Sequence, residues 1–330
     1  MVSKGSGGPV RVLVVGGGVM GRAHARTLNA SRLAALCGVV DLDETVAKAV
    51  ALDLGTNGYT DLRQAIAESR PTAVVIATPD PTHRAAAEIA LESRLHLLIE
   101  KPLATSVADA EAIVAGAAEQ RVRLMTGHLV RFDQRFEQIA AAVRTGATGT
   151  PTFLTSSRWV TTPFGLRVAA TTTPLWHLLI HDIDLIQWIT GAEIDTVDAA
   201  LQVDSSEGPS AFSATGTLAN GAVFQLAGGW TLPSTRGPDA RFEIHATQQH
   251  VVIRTWEEGM LIAEETGAGM VDEAKDSVDV GVFSTWLKRE IDHFLSGIID
   301  GTPYVISGRD AVAAVRAAQL LEGATRRTTT

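Results

Sequence analysis

The sequence predicts an α/β fold. A doubly wound parallel sheet comes first, and an α+β domain with a large, mostly antiparallel open sheet follows. Three observations carry this reading. Over residues 10–127, short continuous apolar runs alternate with Ala-rich helical sequence, the pattern of parallel strands buried on both faces. A glycine-rich turn follows the first run directly. From residue 128 the texture shifts to strand-like segments with a hairpin signal, closed by two helices.

Length and composition agree. A chain of 330 residues exceeds the usual size of one hydrophobic core, and we divide it into domains 1–127 and 128–330, with residues 1–8 disordered. Hydrophobic residues make up 45% and charged residues 20%, as in an ordinary soluble protein. The net charge of −9 argues against nucleic-acid and anionic membrane partners. No apolar run approaches the length that spans a bilayer. Cys37 is the sole cysteine, so no intrachain disulfide forms and a reducing cytoplasm fits. "MVSKGSGGPV" lacks the apolar core of a signal peptide.

In order, "VRVLVV" (10–15), "LAALCGVV" (33–40), "AVVIAT" (73–78) and "LHLLIE" (95–100) read as strands. A helix around 133–144 leads to the strand "PTFLTSSRWV" (151–160) and the helical stretch "HLLIHDID" (177–184). Two further strands flank Asn220-Gly221, a pair favoured in tight hairpins where both residues take positive φ. "ARFEIHA" and "HVVIRT" continue the antiparallel sheet, and "STWLKREIDHFLSGIIDG" and "GRDAVAAVRAAQLLEGATRR" are helices, the last with a basic C-terminal tip.

"GGGVMG" places Gly16, Gly18 and Gly21 in a GxGxxG pattern between the first strand and a helix. The first glycine permits the turn, the second lets backbone approach a pyrophosphate, and the third lets helix and strand pack. The helix N-terminus offers N–H groups and partial positive charge to phosphate. Asp41, twenty residues past Gly21, closes the second strand. Its carboxylate would accept hydrogen bonds from ribose hydroxyls and repel a 2′-phosphate. The expected cofactor is therefore NAD, ahead of NADP.

Lys101 follows the strand ending in Glu100 and precedes Pro102, at the sheet edge where open α/β sheets bind ligands. It can stabilise an oxyanion that develops as a hydride leaves carbon. From this segment alone, a solvated lysine paired with Glu100 is an equal reading. In "HLLIHDID", His177, His181 and Asp184 share one face of a regular helix. They can hold a metal, move a proton or satisfy one another within a core. Two histidines four apart are the sole support for a metal, no HExxH glutamate lies between them, and we expect none.

Together, "GGGVMGRAHARTL", "ATPDPTH" (77–83), "EKPLA", "GHLVRF" (127–132), "HDIDLIQWITG" (181–191) and "GRDAVAAVRAAQLL" resemble the Gfo/Idh/MocA family of oxidoreductases. The resemblance spans nearly the whole chain, "EKPLA" being its most specific motif. It implies an N-terminal Rossmann domain and a C-terminal sheet that joins subunits into homodimers or homotetramers. It also implies that Gly16, Gly18, Val19, Met20, Gly21 and Asp41 line NAD, with Thr78, Pro79 and Glu100 along its nicotinamide half. Lys101 would be the catalytic lysine and His181 the catalytic histidine. The implied reaction is hydride transfer between NAD and a hydroxyl carbon of a sugar or cyclitol. His177 stands where inositol dehydrogenase-like members carry an aspartate, which sets an inositol-type substrate in question.

Beside a dinucleotide loop and Lys101, His181 is assigned as general base, since a group with an unperturbed pKa of about 6.5 accepts a proton near neutrality. Asp184 would hold its ring, and His177 would contact substrate. His128, Arg158 and Trp159 are further substrate-side candidates, each with a packing alternative. Arg131 either braces the domain junction or faces the substrate, and His83 caps a helix. Trp176, Trp188, Trp230, Trp256 and Trp286 are read as core or interface. Two other functions use the same residues: a lyase or glycosidase that keeps NAD bound and oxidises its substrate transiently, and a non-catalytic nicotinamide sensor.

Overall fold

The structure is a computed structural model and describes residues 8–235, 238–254, 260–264, 267–271 and 281–329. The segment before Gly8, expected to be disordered, and Trp256 lie outside the described residues.

The first sheet has six strands: β1 (Val10–Val15), β2 (Ala34–Val40), β3 (Gly58–Tyr59), β4 (Ala73–Ile76), β5 (His96–Glu100) and β6 (Leu124–Gly127). Their order is β3-β2-β1-β4-β5-β6, and every pairing is parallel. The four apolar runs are therefore strands, as expected. β3 is too short to leave a hydrophobic pattern. Helices α1 (Val19–Ala30), α2 (Glu44–Leu54), α3 (Leu62–Ser69), α4 (His83–Glu92) and α5 (Val107–Gln120) connect them. Side chains cap three of these: Asp43 accepts from Thr45 and Val46 N–H, Asp61 from Gln64 N–H, and Ser106 from Asp109 N–H. The Ncap of α1 is Gly18, which brings no side chain. Strand order reverses between β1 and β4, so their C-terminal ends frame the crevice where such sheets bind ligands.

Beside the division expected at residue 127, packing sets the first compact unit's N-terminal part to end at Phe132 and adds Phe283–Val312 to it; the second comprises Asp133–Val282 and Ala313–Thr330. Packing explains the return of the chain. Ile291, Phe294 and Leu295, from α9 (Gly281–Asp300), and Ile306 share one buried cluster with Val12, Val14, Val75 and Leu98. A motif reading that runs along the chain does not register such a return.

The second sheet has nine strands in the order β14-β13-β12-β11-β7-β10-β9-β8-β15. These are β7 (Pro151–Thr161), β8 (Ile194–Ser205), β9 (Gly208–Leu218), β10 (Val223–Leu232), β11 (Asp239–Ala246), β12 (His250–Arg254), β13 (Met260–Glu264), β14 (Gly267–Val271) and β15 (Thr325–Thr329). β10 with β7 and β15 with β8 are parallel; the remaining pairs are antiparallel. Helix α6 (Gln134–Arg144) packs on it, with Phe136 edge-on to Phe242 at 5.4 Å. Between β7 and β8 lie α7 (Thr162–Leu166) and α8 (Ile180–Thr190). Helix α10 (Gly308–Gly323) precedes β15.

Two local expectations change. Asn220-Gly221 does form the β9–β10 hairpin, but only Gly221 has positive φ, at 85°. Leu218 O accepts from Gly221 N–H, and Ala222 O accepts from Leu218 N–H. The loop is thus a three-residue turn ending in a left-handed glycine. The basic tail is not a helix end either. Residues 325–329 pair in parallel with β8, consistent with the β propensity of the threonines in "TRRTT" and the suitability of charged residues for an edge strand.

Candidate functional site

The glycine turn is built as a steric cradle. Gly16 has φ of 100°, and a Cβ there would sit 2.4 Å from Ala77 O. A Cβ on Gly21, which is buried, would sit 1.7 Å from Gly16 O. Both glycines are therefore obligatory for packing. Gly18 differs, because a Cβ there would meet nothing within 4 Å. That open space faces the uncapped start of α1, where Val19 is 80% exposed and Met20 half-buried. Free N–H groups beside open space suit a pyrophosphate. Thr78, half-buried after β4, adds a hydroxyl oxygen that is buried without a hydrogen-bond partner among the described residues. The residues present fit a dinucleotide.

Asp41 is anchored before any ribose arrives. Its Oδ2 accepts from Gly17 N–H at 2.7 Å and its Oδ1 from Asp43 N–H at 2.9 Å. Each oxygen keeps a further lone pair for a ribose hydroxyl, so the aspartate is held in place by the turn it serves.

Glu100 ends β5 and is 6% exposed. Its Oε1 lies 2.7 Å from Nε2 of His24, a fully buried residue of α1, and its Oε2 accepts from Lys101 N–H at 3.2 Å. Burial works against the Glu100 charge. The hydrogen bond and charge of His24 and the charge of Lys101 outweigh it, holding the carboxyl below the usual glutamate range. This carboxylate is thereby tied to α1 and to the backbone of Lys101. Lys101 itself is half-buried. His83 does not cap α4: its buried ring places Nδ1 2.8 Å from Pro102 O and Nε2 2.9 Å from Thr78 O, tying the loops after β4 and β5. Pro79, exposed, lies in the first of these loops.

His128 follows β6 and is 1% exposed, and Arg131 is buried with Nη1 donating to Val305 O at 2.9 Å. Arg131 thereby braces the segment that returns to the first unit.

In the second unit the predicted helix is interrupted. Leu175–Leu179 form a π-helical turn and α8 begins at Ile180. A π turn closes on i+5, so His177 and His181 do not follow the regular helical stripe assumed from their spacing. His177 is half-buried against Phe164 (ring centroids 5.7 Å apart) and Trp230 (6.5 Å). A Cβ on Gly165 would collide with Trp230, which is why α7 carries glycine there. His181 is half-buried and Asp184 is 2% exposed.

Arg158 is paired with a buried carboxylate of α8. Its Nε and Nη2 donate to Asp182 at 2.8 and 2.9 Å, and Ser156 Oγ donates to the same carboxylate at 2.7 Å. Asp182 is 1% exposed. Leaving it charged and unpaired would cost about 3–5 kcal/mol, so Arg158 braces β7 against α8. Trp159, its neighbour on β7, is half-buried. Trp176 and Trp230 are core residues as expected, and Trp188 and Trp286 are half-buried.

Comparison with known proteins bears on the whole chain. Residues 10–128 match the oxidoreductase family with an NAD-binding Rossmann fold, and residues 136–252 match the GFO/IDH/MocA C-terminal domain. The chain belongs to the Gfo/Idh/MocA family of oxidoreductases. It is 30% identical to UDP-N-acetylglucosamine 3-dehydrogenase of Acidithiobacillus ferrooxidans over 92% of this chain and 95% of that protein. A solved structure of that enzyme superposes with a TM-score of 0.82 at 29% identity, covering 96% and 97% of the two chains. GenD2 from gentamicin A biosynthesis, solved in complex with NAD, superposes with a TM-score of 0.82 at 25% identity over 98% and 97%. The protein is an NAD-binding oxidoreductase. Among the described residues, no helix is long and apolar enough to cross a membrane.

Among the buried polar residues that a motif reading passes over are His24, Asp182 and Glu290. The signal for Glu290 is present in the sequence, because it falls on the apolar stripe of α9 with Leu287, Ile291 and Phe294. It is fully buried, and neither carboxyl oxygen has a hydrogen-bond partner among the described residues. Burial first, and then the charge of Glu100, push its carboxyl well above the usual range.

An unfolded glutamate ionises at about pH 4.3 while native Glu290 stays protonated, so it lowers fold stability progressively as pH rises above that value. Glu290→Gln should match wild type in urea unfolding near pH 4 and gain on it toward neutrality; a pH-independent difference would contradict the assignment. Asp41→Ala should raise the NADP:NAD ratio of kcat/KM by about tenfold or more, the worth of one charge-assisted hydrogen bond, and an unchanged ratio would remove Asp41 from cofactor selection.

Proposed function

We propose that this protein oxidises a secondary hydroxyl of a sugar or cyclitol with NAD, with Lys101 and His181 handling the proton. The observation that carries the reading is Lys101 at the C-terminal end of β5, its backbone N–H bound by a Glu100 carboxylate that also binds α1, the helix of the dinucleotide turn. Of two relatives matched along nearly their full length, the one at 30% identity is named for UDP-N-acetylglucosamine and the one at 24% for inositol. A ring hydroxyl on a nucleotide-linked amino sugar is accordingly the first substrate class to try.

When bound, NAD supplies the hydride acceptor. The chain supplies the rest. The Lys101 ammonium donates to the hydroxyl oxygen and stabilises the negative charge that develops there. The His181 imidazole takes the hydroxyl proton, which a group with an unperturbed pKa of about 6.5 does near neutral pH. Asp184, buried one helical turn on, holds the ring of His181. His177 contacts substrate from its place beside Phe164 and Trp230. His128 and Trp159 are further candidates for substrate contact. We also assign the protein to the cytoplasm, with copies associating through the open face of the nine-stranded sheet.

Lys101→Ala tests the assignment. Turnover should fall by at least about 100-fold, the usual worth of a positioned proton-handling group, while NAD affinity measured by fluorescence titration stays within a few fold. Equal losses in both would make Lys101 a cofactor ligand and not a catalytic residue.

A further inference from the structure

The strand β11 carries a group of side chains unrelated to hydride transfer. Phe242 and Ile244 are buried at 2% and 1% exposure, so Glu243 and His245, which alternate with them, share the other face of the sheet. Glu243 receives a hydrogen bond from Thr155 Oγ1 of β7 at 3.1 Å. The neighbours Ser156 and Arg158 bind Asp182 of α8, so alternation puts Thr155 and Glu243 on the face turned away from that helix. His250 opens β12 directly opposite His245. The segment "EIHATQQH" therefore brings one carboxylate and two imidazoles together across a hairpin.

Their geometry is compact. The rings of His245 and His250 stack with centroids 4.3 Å apart and an interplanar angle of 15°. His245 Nε2 lies 4.0 Å from Glu243 Oε2, and one ligand atom from each residue lies within 4.8 Å of the other two. His250 Nε2 is buried and has no hydrogen-bond partner among the described residues. Arg241 donates to Glu243 Oε1, leaving Oε2, steadied by Thr155, to face the histidines. Burial works against the charge on Glu243, but the hydrogen bonds from Arg241 and Thr155 outweigh it and hold its carboxyl below the usual range.

We propose that Glu243, His245 and His250 form a binding site for a divalent transition metal, zinc foremost, which clamps the β11–β12 hairpin. Two imidazoles and a carboxylate are a zinc donor set, whereas calcium and magnesium favour all-oxygen shells. Metal–ligand bonds of about 2.0–2.1 Å place tetrahedral ligands about 3.3 Å apart. Arg241 and Thr155 act as outer partners that fix the carboxylate, the arrangement metal sites use to orient their ligands. His177 and His181, set apart by the π-helical turn, are not part of this cluster, and the test distinguishes the two locations.

The experiment is calorimetric titration of the chelator-treated full-length protein with zinc chloride, followed by thermal melts with and without the metal. Wild type should bind one equivalent at micromolar zinc and melt at a higher temperature with it, while magnesium does neither. His245→Ala/His250→Ala should lose that equivalent and the zinc-dependent rise. Glu243→Gln, a near-isosteric change, should weaken binding at least about tenfold with an unchanged melt in the absence of metal. The proposal is overturned if wild type takes up no zinc, or if the double variant retains the same equivalent, which would place the metal at other residues.

Discussion

A single buried carboxylate ties together the elements of the first unit that carry its chemistry. Glu100 sits where β5 ends, accepts from Lys101 N–H, and pairs with His24 on α1. One hydrogen-bonded group thus fixes the strand that presents the lysine to the helix whose N-terminus faces the dinucleotide turn. The neighbouring strand makes room for it. Gly127 on β6 lies opposite Glu100, and a Cβ there would come within 3.2 Å of the carboxyl carbon. Glu290 lies near enough for the Glu100 charge to be felt. Two carboxyls in one buried neighbourhood do not both ionise, and Glu100, with its histidine and lysine partners, keeps the charge.

The second unit uses the same device with other residues. Asp182 is held by Arg158 and Ser156 of β7, which docks the first turn of α8 on the sheet. The π-helical turn Leu175–Leu179 precedes that anchored point, and it carries His177 to the aromatic rings of Phe164 and Trp230. His177 therefore occupies irregular backbone, where side-chain direction is set by tertiary packing and not by helical periodicity.

Much of this is legible in the sequence because it is local. Continuous apolar runs, the GxGxxG turn and the acid after β2 depend on near neighbours, and each lies where the sequence puts it. What escapes depends on tertiary contacts, register or backbone conformation. The return of α9 to the first unit rests on Ile291, Phe294 and Leu295 meeting β1 and β4 residues. The pairing of Arg158 with Asp182 spans 24 positions, and no spacing rule separates Asp182 from Asp184 as the buried partner. Asn220-Gly221 is recognisable as a hairpin turn, yet its type depends on which residue takes positive φ. The cluster of Glu243, His245 and His250 needs the β11–β12 register to become visible.

The most direct measurement is the near-ultraviolet absorbance of reduced nicotinamide after mixing the purified protein with NAD or NADP and a panel of nucleotide-linked amino sugars, aldoses and cyclitols. Hydride transfer from a ring hydroxyl predicts a rise with NAD and one substrate class, and little or none with NADP. Protein that binds NAD yet gives no rise with any member of the panel would contradict the dehydrogenase account.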